Sequence, residues 1–314
     1  MNDSLRQAAE FLMSHDNYDI LTHAYPDGDT LGSGYALCRV LRGLGKKARV
    51  IKTNLPKDFV FLAEGLEEQS FETQTVVSVD VADEKLLGSN KEKYLGRIEL
   101  CIDHHEISRV EAPVKCVDAC ASSNCEILFE LFSEMGIRLD VDTAAALYTG
   151  ISTDTGCFKY SNTTSKTLRI AAELLDLGVD SPAINKVMFD TKSKKKIMLE
   201  REAYGSLVYC AGGRCAIIAV TLETKRRLDV NDDELEGLAS IPRQIEGVEI
   251  GITIREKEPD VFKISVRANE RLVNAAQFCA RFGGGGHAAA SGCMIKGSLE
   301  EVTAKLRAAA EELL

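Results

Sequence analysis

Three short apolar runs, YDILTH (18–23), TVVSVD (75–80) and RIELCID (97–103), each stop on a histidine or an aspartate. Helical patterns lie between them, beginning with DTLGSGYALCRVLRGLG at 29–45. A further β-rich run, KARVI, follows that helix. Short β-rich runs alternating with helices predict an α/β fold, a mostly parallel sheet covered by helices. In such an open sheet, ligands bind beyond the carboxyl ends of the strands. The polar residues that end these runs are therefore the first candidates for a site. SSNCEILFELFSEMG (122–136) reads as a helix opened by a capping box of Ser123 and Glu126. TAAALYTGISTD and SKTLRIAAELLDLG read as two more helices.

The pattern changes near residue 190. KSKKKIMLEREAYGSLVYC is basic and helical, and no strand of the earlier kind follows it. RCAIIAV, GVEIGITI and VFKISVRA then read as three strands with intervening helices, and LEEVTAKLRAAAEELL as a closing amphipathic helix. At 314 residues the chain exceeds one ordinary core. The expected division is a first α/β domain at 1–190, a helical linker at 191–209 and a smaller α/β domain at 210–314, with an active-site cleft between the two.

The net charge is −10 and there is no tryptophan, which argues against a track for long nucleic acid. Basic residues cluster only at 192–196 and 225–227, and both read as solvated helix faces. No apolar run approaches the roughly 18 residues of a membrane span. The opening MNDSLRQAAEFLMSHD reads as an amphipathic helix without the features of a secretion signal, so a cytoplasmic location is expected. The ten cysteines show no C-x-x-C pair. Most are expected inside helical apolar patterns, as reduced thiols.

Four of the five histidines, His23, His104, His105 and His287, sit at these polar strand ends or in a glycine-rich loop. Beside them lie Asp27, Asp29, Asp80, Asp103 and Asp154. Carboxylates mixed with imidazoles are the donor set of a pair of divalent cations. Two such ions about 3.5–4 Å apart can clamp a phosphoryl group and activate water for in-line attack. Imidazole among the donors favours Mn²⁺ or another transition ion over Mg²⁺ alone. Asp27 and Asp29 are two residues apart, so one can face each ion. Pro26 stiffens their turn, and Gly28 is expected to relieve crowding between the two carboxylates.

HAYPDGDTLGSG, VDVAD, DHH and STDTG occur in order, and together they resemble the four metal-binding motifs of the DHH phosphoesterases. ISVRANERLVNAAQFCARFGGGGHAAASGC resembles the signature of the DHH-associated substrate domain. The resemblance spans nearly the whole chain. Its compact two-domain length is similar to the branch acting on short RNA and on 3′-phosphoadenosine 5′-phosphate. The resemblance implies that His23, Asp27 and Asp80 hold one ion. Asp29, Asp80, His104 and Asp154 hold the second, with Asp80 bridging. It implies that His105 faces the substrate phosphate, that Asp103 orients an imidazole, and that a water activated by the two ions is the nucleophile. Gly284, Gly285, Gly286, His287, Arg267 and Asn269 become a substrate clamp. Arginine suits that task because its guanidinium forms paired hydrogen bonds with phosphate.

The expected function is a two-metal, Mn²⁺-dependent phosphoesterase of short oligoribonucleotides, dinucleotides and phosphonucleotides. A homodimer is compatible with this reading. The alternatives are a linear or cyclic dinucleotide phosphodiesterase, a pyrophosphatase or exopolyphosphatase, and a nucleotide sensor without turnover.

Overall fold

A computed structural model describes residues 3–51, 55–231, 234–235 and 237–314. Two compact units emerge, one running through Thr191 and the other spanning Lys192–Leu314.

The first unit opens with α1 (Asp3–Ser14), β1 (Tyr18–Leu21), α2 (Gly28–Gly43), β2 (Ala48–Ile51) and β3 (Thr75–Val79). A short α3 (Lys91–Tyr94), β4 (Leu100–Asp103) and β5 (Val114–Val117) follow. It ends with α4 (Asn124–Glu134), α5 (Val141–Asp154), α6 (Ser165–Asp176) and α7 (Ser181–Asn185). The five strands pair in parallel in the order β2-β1-β3-β4-β5. Every residue of β1, β3 and β4 is buried. Their alternating side chains serve two cores. Ile20, Val77, Val79, Leu100 and Ile102 join Leu12, Leu37, Leu128 and Leu147 of the covering helices. Leu21, Val76 and Cys101 point the other way, to Leu87, Tyr94 and Val110. This two-sided burial is why the runs read as mostly apolar, with Asp19 of β1 and Ser78 of β3 buried among them.

The strand order reverses at β1, which has β2 on one side and β3 on the other. Such a switch point leaves a crevice at the carboxyl ends of β1 and β3. His23 lies two residues beyond β1, and Asp80 directly follows β3. Glycine is a poor helix former, yet α2 contains several. A Cβ at Gly32 would overlap the Ala146 carbonyl of α5, so that glycine lets the two helices approach closely. Gly28 acts differently from the expectation. A Cβ there would strike the Thr153 side chain, so what Gly28 relieves is contact with α5 rather than crowding between carboxylates.

The capping box at α4 is open on one side. Ser123 Oγ accepts from Glu126 N at 3.1 Å, but the Glu126 carboxylate is committed elsewhere. It accepts from Ser122 Oγ at 2.6 Å and Thr167 Oγ1 at 2.8 Å, and it pairs with Lys166 at 2.9 Å. Reciprocal boxes occur instead at Thr164–Thr167 and Ser298–Glu301.

The second unit holds α8 (Lys194–Gly205), β6 (Val208–Cys210), β7 (Cys215–Val220), α9 (Leu222–Leu228), β8 (Ile250–Glu258) and β9 (Val261–Ala268). After these come α10 (Ala275–Ala280), β10 (Gly285–Gly286), β11 (Ala290–Lys296) and α11 (Leu299–Leu313). Its sheet is mixed, in the order β10-β11-β9-β8-β7-β6, with β7 and β8 parallel and the other neighbours antiparallel. The sequence showed three of these strands. It missed the short β6 and β10, and it missed β11, whose apolar residues are diluted by Ser291 and Gly292. β8 and β9 form a hairpin with no helix between them. α8, expected as a linker, buries Leu199 and Ala203 against Ile218, Val220 and Leu238.

All ten cysteines are free. More of them stand on strands (Cys101, Cys116, Cys210, Cys215, Cys293) than on helices (Cys38, Cys125, Cys279), contrary to the expectation. Among the described residues no helix is long and apolar enough to cross a membrane.

Candidate active site

Each acidic or imidazole group of the first unit is aimed by a specific local device. Asp27 caps α2. Its Oδ1 accepts from Asp29 N and Thr30 N, both at 3.1 Å, which leaves Oδ2 to face His23 Nε2 at 3.5 Å. The Thr30 hydroxyl donates to Val79 O at 3.4 Å and accepts from His23 N at 3.3 Å, tying the end of β1 to the end of β3. Asp80 takes a left-handed backbone, φ 57°, while its N–H still bonds Ile102 O at 3.0 Å. Aspartate tolerates that conformation better than most residues, and here it turns the carboxylate out of the strand.

Asp29 is 1% exposed, the second residue of α2. Its Oδ2 accepts from Asn124 N at 2.6 Å and its Oδ1 from Cys125 N at 2.9 Å. The positive end of α4 therefore anchors this carboxylate. Ser123 is legible in the sequence as a helix start, but this role of the residues after it is not. Their signal was an N-cap placed shortly after the last sheet strand, where a free helix end meets the strand termini. Asp103 Oδ1 accepts from His104 N at 2.9 Å and lies 2.7 Å from His105 Nδ1, which fixes the His105 ring.

The groups converge. Asp80 Oδ2 lies 3.6 Å from His23 Nε2, and Asp80 Oδ1 lies 3.4 Å from His104 Nε2. His104 Nε2 is also 3.7 Å from Asp29 Oδ2 and 3.5 Å from Asp154 Oδ2. His105 Nδ1 is 3.7 Å from Asp80 Oδ1. Three sets form whose donor atoms lie within 4.8 Å of one another: His23, Asp27 and Asp80; Asp29, His104 and Asp154; and Asp80, His104 and His105. Most of these separations are too long for good hydrogen bonds. They fit atoms sharing a cation, because ligands about 2.1 Å from one ion stand roughly 3.0–3.5 Å apart. Asp80 Oδ1 is buried and has no hydrogen-bond partner, a costly state that a bound cation would relieve. Among the described residues no lysine or arginine pairs with these carboxylates. The donor set fits two divalent ions.

The electrostatics agree. Burial, followed by repulsion from Asp29, holds the Asp80 carboxyl well above its usual value. Burial likewise raises Asp29, against the attraction of His104. Asp154 is pushed up to about 7 by burial and then by Asp29. Burial opposes protonation of His104, but the adjacent Asp80 carboxylate and the charges of Asp29 and Asp154 lift it to about 10. The hydrogen bond that His105 donates to Asp103 raises the His105 imidazole. Burial also opposes ionisation of Asp27, but His23 and two backbone N–H groups outweigh it and hold the carboxyl low. The cluster holds more negative charge than its protein partners neutralise.

The remaining candidates belong to the second unit. Arg267 of β9 stands opposite Ala290 of β11, and its Nη1 donates to Val266 O at 3.1 Å. His287 N donates to Ala290 O at 2.8 Å. This pairing puts Arg267 and His287 in line across the sheet, roughly two strand spacings or 10 Å apart. Asn269 Oδ1 accepts from Arg271 N at 3.3 Å. Gly285 and Gly286 are strand residues paired with Gly292 and Ser291, so the glycine run is partly ladder rather than loop. The N–H groups of Gly283 and Gly284 are taken by Ala280 O and Cys279 O. The N–H groups of this glycine run are thus largely spent inside the fold.

Comparison with known proteins follows the same two units. The N-terminal domain of the DHH family matches residues 19–151, and the DHHA1 domain matches residues 212–314. The bifunctional oligoribonuclease and PAP phosphatase NrnA of Thermus thermophilus is 30% identical over 304 residues, 94% of this chain and 89% of that protein. The chain belongs to the DHH family. Asp154 lies just past the matched DHH segment, yet it joins the same cluster as the matched residues. The crystal structure of an exopolyphosphatase-related protein from Bacteroides fragilis superposes with a TM-score of 0.86 at 25% identity, covering 99% of this chain and 96% of that one. The DHH fold is also shared with RecJ of Thermus thermophilus, crystallised in complex with Mn²⁺. That superposition has a TM-score of 0.53 at 14% identity and covers 98% of this chain and 54% of RecJ.

Proposed function

We propose that this protein is a Mn²⁺-dependent phosphoesterase that hydrolyses short oligoribonucleotides to mononucleotides and 3′-phosphoadenosine 5′-phosphate to AMP. The observation that carries the reading is Asp80. One buried carboxylate faces His23 with one oxygen and His104 with the other, at 3.6 and 3.4 Å, and so serves two cation sites. His23, Asp27 and Asp80 would hold one ion, and Asp29, Asp80, His104 and Asp154 would hold the other. When bound, the ions neutralise phosphoryl oxygens and make a water acidic enough to attack near neutral pH. The imidazoles among the donors support Mn²⁺ over Mg²⁺ alone.

The protein's own groups do the rest. His105, oriented by Asp103 and favoured in its protonated form, donates to a non-bridging oxygen of the scissile phosphate. Arg267 and His287 hold a second phosphate or the sugar end of the substrate, with Asn269 beside them. Gly284, Gly285 and Gly286 keep the backbone bare around that pair. The bifunctional relative from Thermus thermophilus supports the substrate class. A net charge of −10 and the lack of tryptophan support a short substrate, because each added nucleotide brings negative charge with no aromatic track to repay it. The ten free thiols support a cytoplasmic setting.

The test is kcat/KM with Mn²⁺ across an RNA ladder, a cyclic dinucleotide, 3′-phosphoadenosine 5′-phosphate and polyphosphate. Efficiency is expected to peak at about two to five nucleotides, the span a compact module contacts. Equal efficiency on a twenty-mer, or preference for polyphosphate, would refute the reading.

A further inference from the structure

The turn after Asp154 is restrained beyond what a connection needs. Gly156, Cys157 and Phe158 are successive left-handed residues, with φ of 56°, 58° and 62°. Side chains rarely adopt that conformation, and where it persists the surroundings must hold it. Phe158 is anchored by its N–H to Thr155 Oγ1 at 3.1 Å and by its ring against Tyr148, centroids 6.0 Å apart. Asn162 Nδ2 donates to Asp154 O at 3.2 Å and to Ser122 O at 2.9 Å. The product of these restraints is the placement of Tyr160. Its ring lies on the bare backbone of Gly156, where any Cβ would overlap the ring atoms, and yet Tyr160 is 60% exposed. The ring is seated against Gly156 while most of the residue is open to solvent. Gly156 is only two residues past Asp154, at most about 7 Å along the chain.

We propose that Tyr160 is the stacking platform for the nucleobase next to the scissile phosphate. The proposal rests on the nucleotide reading given above and assigns this ring a part in it. A fixed ring with an open face binds a planar partner at little conformational cost. Every base has a π-face, so the platform accepts any short RNA without reading its sequence. An inorganic polyphosphate has nothing to lay on it. Tyr160 therefore acts on specificity, distinguishing nucleotides from phosphate chains that the same cations would hold.

The chain has no tryptophan, so Tyr160→Trp places a single indole at the platform. AMP is expected to quench its emission saturably. Ribose 5-phosphate, which lacks the base, is expected to displace AMP and restore the emission. In parallel, Tyr160→Ala should raise KM for a diadenylate about 10-fold to 100-fold, with Mn²⁺ content unchanged. Tyr160→Phe should stay within about twofold and controls for folding of the turn, because stacking needs the ring and not the hydroxyl. A Tyr160→Trp protein that hydrolyses the diadenylate but shows no quenching by AMP would overturn the platform and leave the phosphoesterase reading standing. An unchanged KM in Tyr160→Ala would do the same. Hydrolysis of polyphosphate and of no nucleotide by the unaltered protein would overturn both.

Discussion

The charged end of the first sheet and the glycine hairpin of the second sheet both looked like sites in the sequence, and they are built in opposite ways. At the first, Asp29, Asp80, His104 and Asp154 crowd together, largely buried, with an oxygen of Asp80 left unpartnered. At the second, Gly283, Gly284 and His287 spend their N–H groups on backbone carbonyls, and Gly285 and Gly286 extend the sheet. Unsatisfied buried charge marks a place that is completed by something from outside. A hairpin whose backbone is satisfied marks a frame, and the side chains of His287 beside it and of Arg267 on the neighbouring β9 are what is left to serve a ligand.

The largest effect should follow from breaking the first region. Asp80→Ala removes the carboxylate proposed to serve both cation sites. Activity on a dinucleotide is expected to fall at least about a thousandfold, since cation charge supplies several kcal/mol to the transition state. The circular dichroism spectrum should be retained. A folded variant with near-normal activity would break the comparison.

Arg267→Ala should act on binding. Losing a charge-assisted pair to phosphate is expected to raise KM roughly 10-fold to 100-fold, from about 1.5–3 kcal/mol. Mn²⁺ content should not change. A drop in bound Mn²⁺ would show that the two regions are not separate in function.

A smaller effect separates frame from contact within the hairpin. A Cβ at Gly284 would overlap Gly292 O and the Cys293 backbone, whereas Gly285 has nothing within 4 Å. Gly284→Ala should destabilise by about 1–3 kcal/mol in a denaturant titration. Gly285→Ala should stay within about 0.5 kcal/mol. If Gly285→Ala nevertheless weakens substrate binding, the glycine backbone approaches the ligand, and the contrast narrows to stability alone.

The smallest signal is the pH dependence of the metal-free protein. A carboxyl raised from 3.8 to about 7, as at Asp154, contributes stability while it keeps its proton and loses it as pH climbs between those values. An imidazole raised from 6.5 to about 10, as at His104, contributes fully below 6.5 and loses that toward 10. Both act in one direction, so Tm in chelator should fall as the pH is raised from weakly acidic to weakly alkaline. Saturating Mn²⁺ should remove the fall, because the cations replace the protons. A chelated protein whose Tm rises over that range would contradict the charge balance described for the cluster.

How much of this the sequence disclosed depends on how far apart the cooperating residues lie. β1, β3 and β4 were legible because two-sided burial leaves mostly apolar runs, and His23, Asp80 and Asp103 were legible because they end those runs. The anchoring of Asp29 by Asn124 and Cys125 was not, because it joins backbone groups some 95 residues away that carry no side-chain signature. The Glu126 capping box misled for a related reason. Local spacing promised a reach back to the helix start, but Thr167 and Lys166 of α6 claim the carboxylate. The glycine run was ambiguous in the sequence because glycine serves anion sites and tight strand crossings alike. Only the Gly284 contacts with Gly292 and Cys293 separate the two.

The most direct test of the central claim is titration of the metal-free protein with Mn²⁺, counting bound ions by electron paramagnetic resonance. The account predicts two ions per chain, with binding at both sites lost or sharply weakened in Asp80→Ala. A single ion per chain, or two ions held by Asp80→Ala as tightly as by the unaltered protein, would contradict it.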